Sequence, residues 1–267
     1  MFKYEEYYVH QRFSIFIKKL WILDNLNNPG QITGKAVLPN GCFNIAVIEG
    51  AGLMIKHLGW EKHLIPGTYF CGQMTEAISV DLLPQSKATM IQLHPWTPMH
   101  FTSLDLQSFT DNVLPLALLD INSNLIDKMT GLSNEEIFQN IILTFTPAFK
   151  VGVASKRVYQ ASKAIMDSKG TFTITQLALK LECSSRYLQK IFKKHIGLSP
   201  KQLSSIVKLR AAVDDIAYPD QQKTTLTMLA LGNNFYDQAH FNNAFKSIVK
   251  TSPHNFYLPD YFLSFKR

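Results

Sequence analysis

The chain has 267 residues, of which 46% are apolar and 18% charged, enough apolar material for a full core and enough length for about two domains. Its formal charge of +7 is unevenly held: residues 1–150 carry 10 basic and 13 acidic side chains (net −3), and residues 151–267 carry 17 and 7 (net +10). Membrane, secreted and metal-framework classes are not expected, because no apolar run reaches the roughly 18 residues of a membrane span, the start MFKYEEYYVH carries acidic residues where a secretory signal has a basic start and an apolar run, and Cys42, Cys71 and Cys183 lack paired or metal-ligand spacing and read as buried free thiols. A cytoplasmic protein without a membrane partner or cofactor is therefore expected, and the basic C-terminal part points to nucleic acid or another anionic surface. A solvated basic face would account for the charge alone equally well.

From Phe13 to about Met99 the chain reads as strand and turn. FNIAVIEG, GLMIKHLGW, AISVDLL and ATMIQLHP are short, rich in Ile, Val and Leu, and punctuated by Gly, Pro and Asn, which predicts a compact barrel or sandwich. Pro39-Asn40-Gly41 is a turn signal. Between Leu104 and Phe149, SFTDNVLPLALLD, NSNLIDKMTGL and NEEIFQNIILTF carry apolar residues at helical spacing and predict two to four helices. Ser133 and Glu136 would form a capping box for one of them. The segment Thr146 to Arg157 combines Pro, Gly and small residues and is taken as the domain boundary, and Tyr159 to Lys169 reads as a lead-in helix stopped by Gly170.

The C-terminal part writes one pattern twice. TITQLALKLECSSRYLQKIFKKHIGLSP (173–200) and TLTMLALGNNFYDQAHFNNAFKSIVKTSP (225–253) each read as helix, tight turn and second helix, with an aromatic anchor, Phe192 or Phe245, eight residues before the proline of a Ser-Pro pair. Thr173 with Gln176, and Ser199 with Pro200 and Gln202, are helix-start signals. On the second helix of the first unit, Leu188, Ile191 and Phe192 form an inward stripe and leave Arg186, Gln189, Lys190 and Lys193 to reach a major groove. Lys201 to Ile216 is an amphipathic linker helix packing through Leu203, Val207, Leu209 and Ala212. In the second unit Asp237 is an N-cap, Phe241, Phe245 and Ile248 form the stripe, and Gln238, His240, Asn242, Asn243 and Lys246 remain for DNA. Asn234 suits a left-handed turn, whereas Glu182 at the corresponding place predicts a strained or differently shaped one.

These residues resemble the AraC/XylS family of bacterial transcription regulators over about Val158 to Tyr257. ALKLECSSRYLQKIFKKHIGLSP is similar to the family's first unit, KLRAA (208–212) to its linker helix, and NFYDQAHFNNAFK with TSP (251–253) to its second-unit signature. The resemblance implies a module that places two recognition helices in successive major grooves of double-stranded DNA. Asn234 and Glu182 replace the usual turn glycines, Asn243 a commonly basic residue, and Lys208 the usual linker arginine. LPNGCFNIAVIEG, GTYFCGQMTE and SFTDNVLPLALLD resemble a domain of unknown function that often precedes such modules, which implies a small cupin-like β-barrel with helices. The expected fold is thus α+β, with residues 1–150 as a sensor or dimerisation domain and residues 156–260 as the DNA-binding domain. RNA polymerase, a small-molecule effector and a second copy of the chain are the further partners this class admits.

An enzyme domain fused to a DNA-binding module is the rival reading. His57, His63, His94 and His100 are scattered without a His-x-His pair, so no metal site is expected, and no nucleophile constellation stands out. Trp60, Tyr69, Phe70, Trp96 and Phe101 are read as core in preference to an effector pocket. The tail FYLPDYFLSFKR is expected to pack on the DNA-binding domain.

Overall fold

The computed structural model describes residues 1–9, 14–57, 59–119, 129, 131–145, 153–218 and 225–262. The apolar segments of the first half become strands: β1 (Lys3–Tyr8), β2 (Ile17–Asp24), β3 (Ile32–Val37), β4 (Phe43–Glu49), β5 (Leu53–His57), β6 (Trp60–Leu64), β7 (Gly67–Cys71), β8 (Ile78–Leu82), β9 (Lys87–Leu93) and β10 (Val113–Pro115). One sheet has the order β1-β2-β9-β4-β7-β10 and the other β3-β8-β5-β6. Among the described residues every pairing between these strands is antiparallel. The near-continuous apolar run of β4 has a physical cause: Phe43, Ile45 and Val47 join a core on one face of the larger sheet, while Ala46 and Ile48 point into a second core shared with Leu53, Ile55 and Val80 of the smaller sheet. The two sheets do not join at their edges, so the expected barrel is corrected to two open, packed sheets within the same α+β class.

Two further expectations are corrected. β1 lies before the predicted strand region; its sequence KYEEYY is half charged and gives little apolar signal. Among its described residues SFTDNVLPLALLD forms no α-helix: Leu106–Phe109 and Leu116–Leu119 are short 3-10 helices flanking β10, which pairs with β7 through Val113 and Cys71. Pro115 restricts Leu114 to extended backbone and cannot donate within a helix. The predicted helix in 122–132 falls largely outside the described residues, whereas NEEIFQNIILTF does form α1 (Asn134–Phe145), with Ser133 and Glu136 bonded reciprocally. Ile137 and Ile141 of α1 cover the outer core of the larger sheet. The boundary segment is already helical from Val153, where α2 (Val153–Asp167) begins.

The helical region continues with α3 (Ile174–Lys180), α4 (Ser185–Ile196), α5 (Pro200–Ala217), α6 (Leu226–Gly232) and α7 (Gln238–Val249). The four expected packing positions of α5 are all buried, and they divide: Leu203 and Val207 belong to a core with α2, α3 and α4, Leu209 and Ala212 to one with α6 and α7. The tail meets both regions. Phe256 packs edge-on against Phe245 at 5.8 Å, while the Phe262 N–H donates to the Ala36 carbonyl at 2.9 Å and thereby reaches the smaller sheet.

Candidate nucleic-acid interface

Both units make the same turn from different residues. Thr173 and Gln176 form the expected capping box at the start of α3, and Thr225 caps α6 through the Met228 N–H. After α3, Glu182 adopts φ 49° and lets the Cys183 N–H donate to the Ala178 carbonyl at 3.0 Å; after α6, Asn234 adopts φ 60° and the Phe235 N–H donates to the Ala230 carbonyl at 2.9 Å. Glu182 thus takes the strained left-handed form and not a different turn, at a cost of about 1 kcal/mol for a residue with no local compensation.

Ser184 starts α4 by accepting from the Tyr187 N–H at 3.1 Å. Leu188, Ile191 and Phe192 are buried, which leaves Arg186, Gln189, Lys190 and Lys193 exposed together on the opposite side. Lys194, outside the expected set, is exposed as well. Asp237 starts α7 by accepting from the His240 N–H at 2.7 Å. Phe241, Phe245 and Val249 form its buried stripe; Ile248, expected there, is half-buried and packs against both helical cores.

The outer residues of α7 are less uniform than those of α4. His240, Asn243 and Lys246 are exposed, whereas Gln238 and Asn242 are half-buried. Gln238 Oε1 accepts from the Thr227 hydroxyl at 2.7 Å, and Asn242 Oδ1 is buried without a hydrogen bond. The His240 ring accepts from the Tyr236 N–H at 3.4 Å and sits edge-on to Phe235. Lys208 has a task its sequence position did not disclose: Nζ donates to the Asn234 carbonyl at 3.1 Å and lies 5.5 Å from the Phe235 ring centre, tying α5 to the second turn. Burial pushes its pKa down.

A cavity of about 540 Å³ opens between the sheets and reaches α5. Its inner wall is apolar, including Trp21, Ile48, Ile55 and Val80, while Lys18, Lys19, Lys169 and Arg210 stand among its polar lining with Asp214 and Asp215. Arg210 is paired with Asp214 at 3.0 Å and Lys19 with Glu6 at 2.6 Å; Lys18 and Lys169 have no carboxylate partner among the described residues. None of Trp60, Tyr69, Phe70, Trp96 or Phe101 lines it. Trp21, which does, carried no distinguishing signal in the sequence. Among the described residues no group of His, Cys, Asp or Glu is arranged to hold a metal ion, and no helix is long and apolar enough to cross a membrane.

A model of a helix-turn-helix domain matches residues 177–257, and a model of a domain of unknown function, DUF6597, matches residues 5–115. No curated protein matches the chain in sequence. Among solved structures, a ligand-free single-residue variant of ToxT from Vibrio cholerae aligns over 88% of this chain and 95% of its own at 11% identity and a TM-score of 0.44. Wild-type ToxT from the same organism with an unsaturated fatty acid bound aligns over 88% and 91% at 10% identity and 0.43. The C-terminal domain of AraT, a response regulator from Geobacillus stearothermophilus, aligns with 42% of this chain and 91% of its own at 20% identity and 0.35.

Proposed function

We propose that the chain is a DNA-binding transcription regulator of the AraC/XylS type, carrying its helix-turn-helix domain behind a DUF6597 domain and acting by binding rather than by catalysis, and that it inserts α4 and α7 into successive major grooves on one face of the duplex. The observation that carries this reading is the repeated turn: two units of one geometry, each leaving the polar side of its second helix in solvent. In this reading residues 156–260 are the DNA-binding domain and residues 1–150 the sensor, working in the cytoplasm where DNA is accessible. Arg186, Gln189, Lys190 and Lys193 supply the first contact. His240, Asn243 and Lys246, with the half-buried Gln238 and Asn242 set nearer the protein, supply the second. Selection of bound fragments from a genomic library followed by footprinting should give two protected segments about one helical turn apart. Affinity for a selected site no greater than for random DNA at physiological salt would overturn it.

The effector part rests on the cavity's own chemistry. An apolar chamber with cations near its polar lining suits a ligand with an apolar body and an acid group. Because Trp21 is in the wall, its fluorescence should change saturably on titration with a long-chain carboxylic acid and less with the methyl ester. No saturable change with either would remove this part of the reading and leave DNA binding untouched.

A further inference from the structure

The two recognition helices are joined through α5, but their cores are separate and among the described residues one side chain, Ile248, packs against both. A second connection runs through the sheet region and touches both helices at their C-terminal ends. At the end of α4, the Thr110 hydroxyl donates to the Gly197 carbonyl at 2.9 Å. At the end of α7, the Ala77 N–H donates to the Ile248 carbonyl at 2.7 Å, and the ammonium of Lys250, the left-handed C-cap, pairs with the Glu76 carboxylate.

These two anchor points are tied to each other. Asp111, next in sequence to Thr110, accepts from the Thr75 N–H at 2.6 Å and from the Thr75 hydroxyl at 2.7 Å, and its own N–H donates to the Gln73 carbonyl at 2.8 Å. It does so at φ 55°, a left-handed conformation that surrounding bonds must hold. The Trp60 indole donates to its carbonyl at 3.1 Å. His57 is wedged behind the link, with Nε2 at 3.4 Å from Glu76 and 3.8 Å from Asp111. A continuous path therefore leads from Gly197 through Thr110 and Asp111 to Thr75, Glu76 and Lys250.

We propose that this path is a positioning element: Thr110–Asp111 and Thr75–Glu76–Ala77 form a yoke that fixes the separation and rotation of α4 relative to α7, and so sets which spacing of the two DNA contacts the protein accepts. The inference rests on the reading that both helices enter DNA. Its physical basis is leverage. Each helix is gripped at its C-terminal end, so a small change at the yoke swings the N-terminal part that carries Arg186 or His240 furthest, and one base pair of spacing corresponds to only about 3.4 Å and roughly 35° along the duplex.

The test uses the full chain and a selected DNA site in which single base pairs are inserted or deleted between the two protected segments. For the wild type, a one-base-pair change should lower affinity by about tenfold, whereas Glu76→Lys, Lys250→Glu and Lys250→Ala should each reduce that penalty to about threefold or less. Lys250 is exposed at the surface, so its variants test the yoke without disturbing a core. The charge-swapped pair Glu76→Lys with Lys250→Glu should restore the wild-type spacing preference. A merely stabilising contact would alter the melting temperature and leave the preference in place. Single variants that keep the wild-type spacing profile, or a swapped pair that does not restore it, would overturn the yoke while leaving two-helix binding intact. A wild type indifferent to spacing would overturn both.

Discussion

α4 ends at Gly197, left-handed at φ 81° and pressed against Leu106 and Thr110, whereas α7 ends at Lys250, also left-handed at φ 68° but exposed and tied to the sheet region through its charge. The two helix-turn-helix units thus reach one backbone geometry by different means. In the first, the absence of a side chain permits close approach; in the second, an ion pair and a backbone hydrogen bond provide attachment. The outer faces differ in the same direction, α4 presenting a row of exposed cations and α7 a mixture of amides, a histidine and one lysine. A duplicated sequence pattern therefore fixes the shape of each unit without fixing what holds it against the rest of the molecule.

The largest effects should come where the units are alike. Phe192→Ala and Phe245→Ala each remove a fully buried ring and should cost about 3–5 kcal/mol by denaturant unfolding; a much smaller loss at one of them would mean that its unit is less tightly packed. The helix ends should then separate the two. A Cβ at Gly197 would lie 2.7 Å from both the Leu106 carbonyl and the Thr110 hydroxyl, so Gly197→Ala should destabilise by about 2–3 kcal/mol. Lys250→Gly relieves backbone strain as it loses an ion pair, and should stay within about 1 kcal/mol of the wild type.

In DNA binding, Lys190→Ala should reduce the slope of log affinity against log salt by about 0.9, and Asn243→Ala should leave it unchanged. Equal flattening by both would mean that the cation-rich face of α4 and the amide-bearing face of α7 contribute alike to the electrostatic part of binding. The smallest contrast lies in the turns: Glu182→Gly should stabilise by about 1 kcal/mol and Asn234→Gly by only a few tenths, because Asn already tolerates positive φ. Thermal unfolding of the two variants measures the difference.

Much of the helical region is legible in the residues themselves. The caps at Thr173, Ser199 and Asp237 and the stripe Leu188-Ile191-Phe192 are local features, settled by hydrogen bonds three residues away and by helical periodicity. The sheet region was less legible. The apolar spacing of SFTDNVLPLALLD suits a helix until Pro115 and the pairing of Val113 with Cys71 are considered, and that pairing spans more than forty residues of chain. Among the outer residues of the second recognition helix, the sequence placed Gln238 and Asn242 alongside Asn243, but only the packing around α7 turns the first two towards the protein.

By itself the sequence determined that there are two helix-turn-helix units and where their helices begin, because these depend on contacts within one or two turns of backbone, and that the basic charge lies with them, because charge is a matter of composition. Tertiary structure alone decided that the sheets stay open, that Trp21 faces a cavity, and that Thr110, Asp111 and Glu76 connect the ends of α4 and α7. Those features are made by residues distant in the chain and by single polar bonds, which leave no periodicity or composition for a sequence to display.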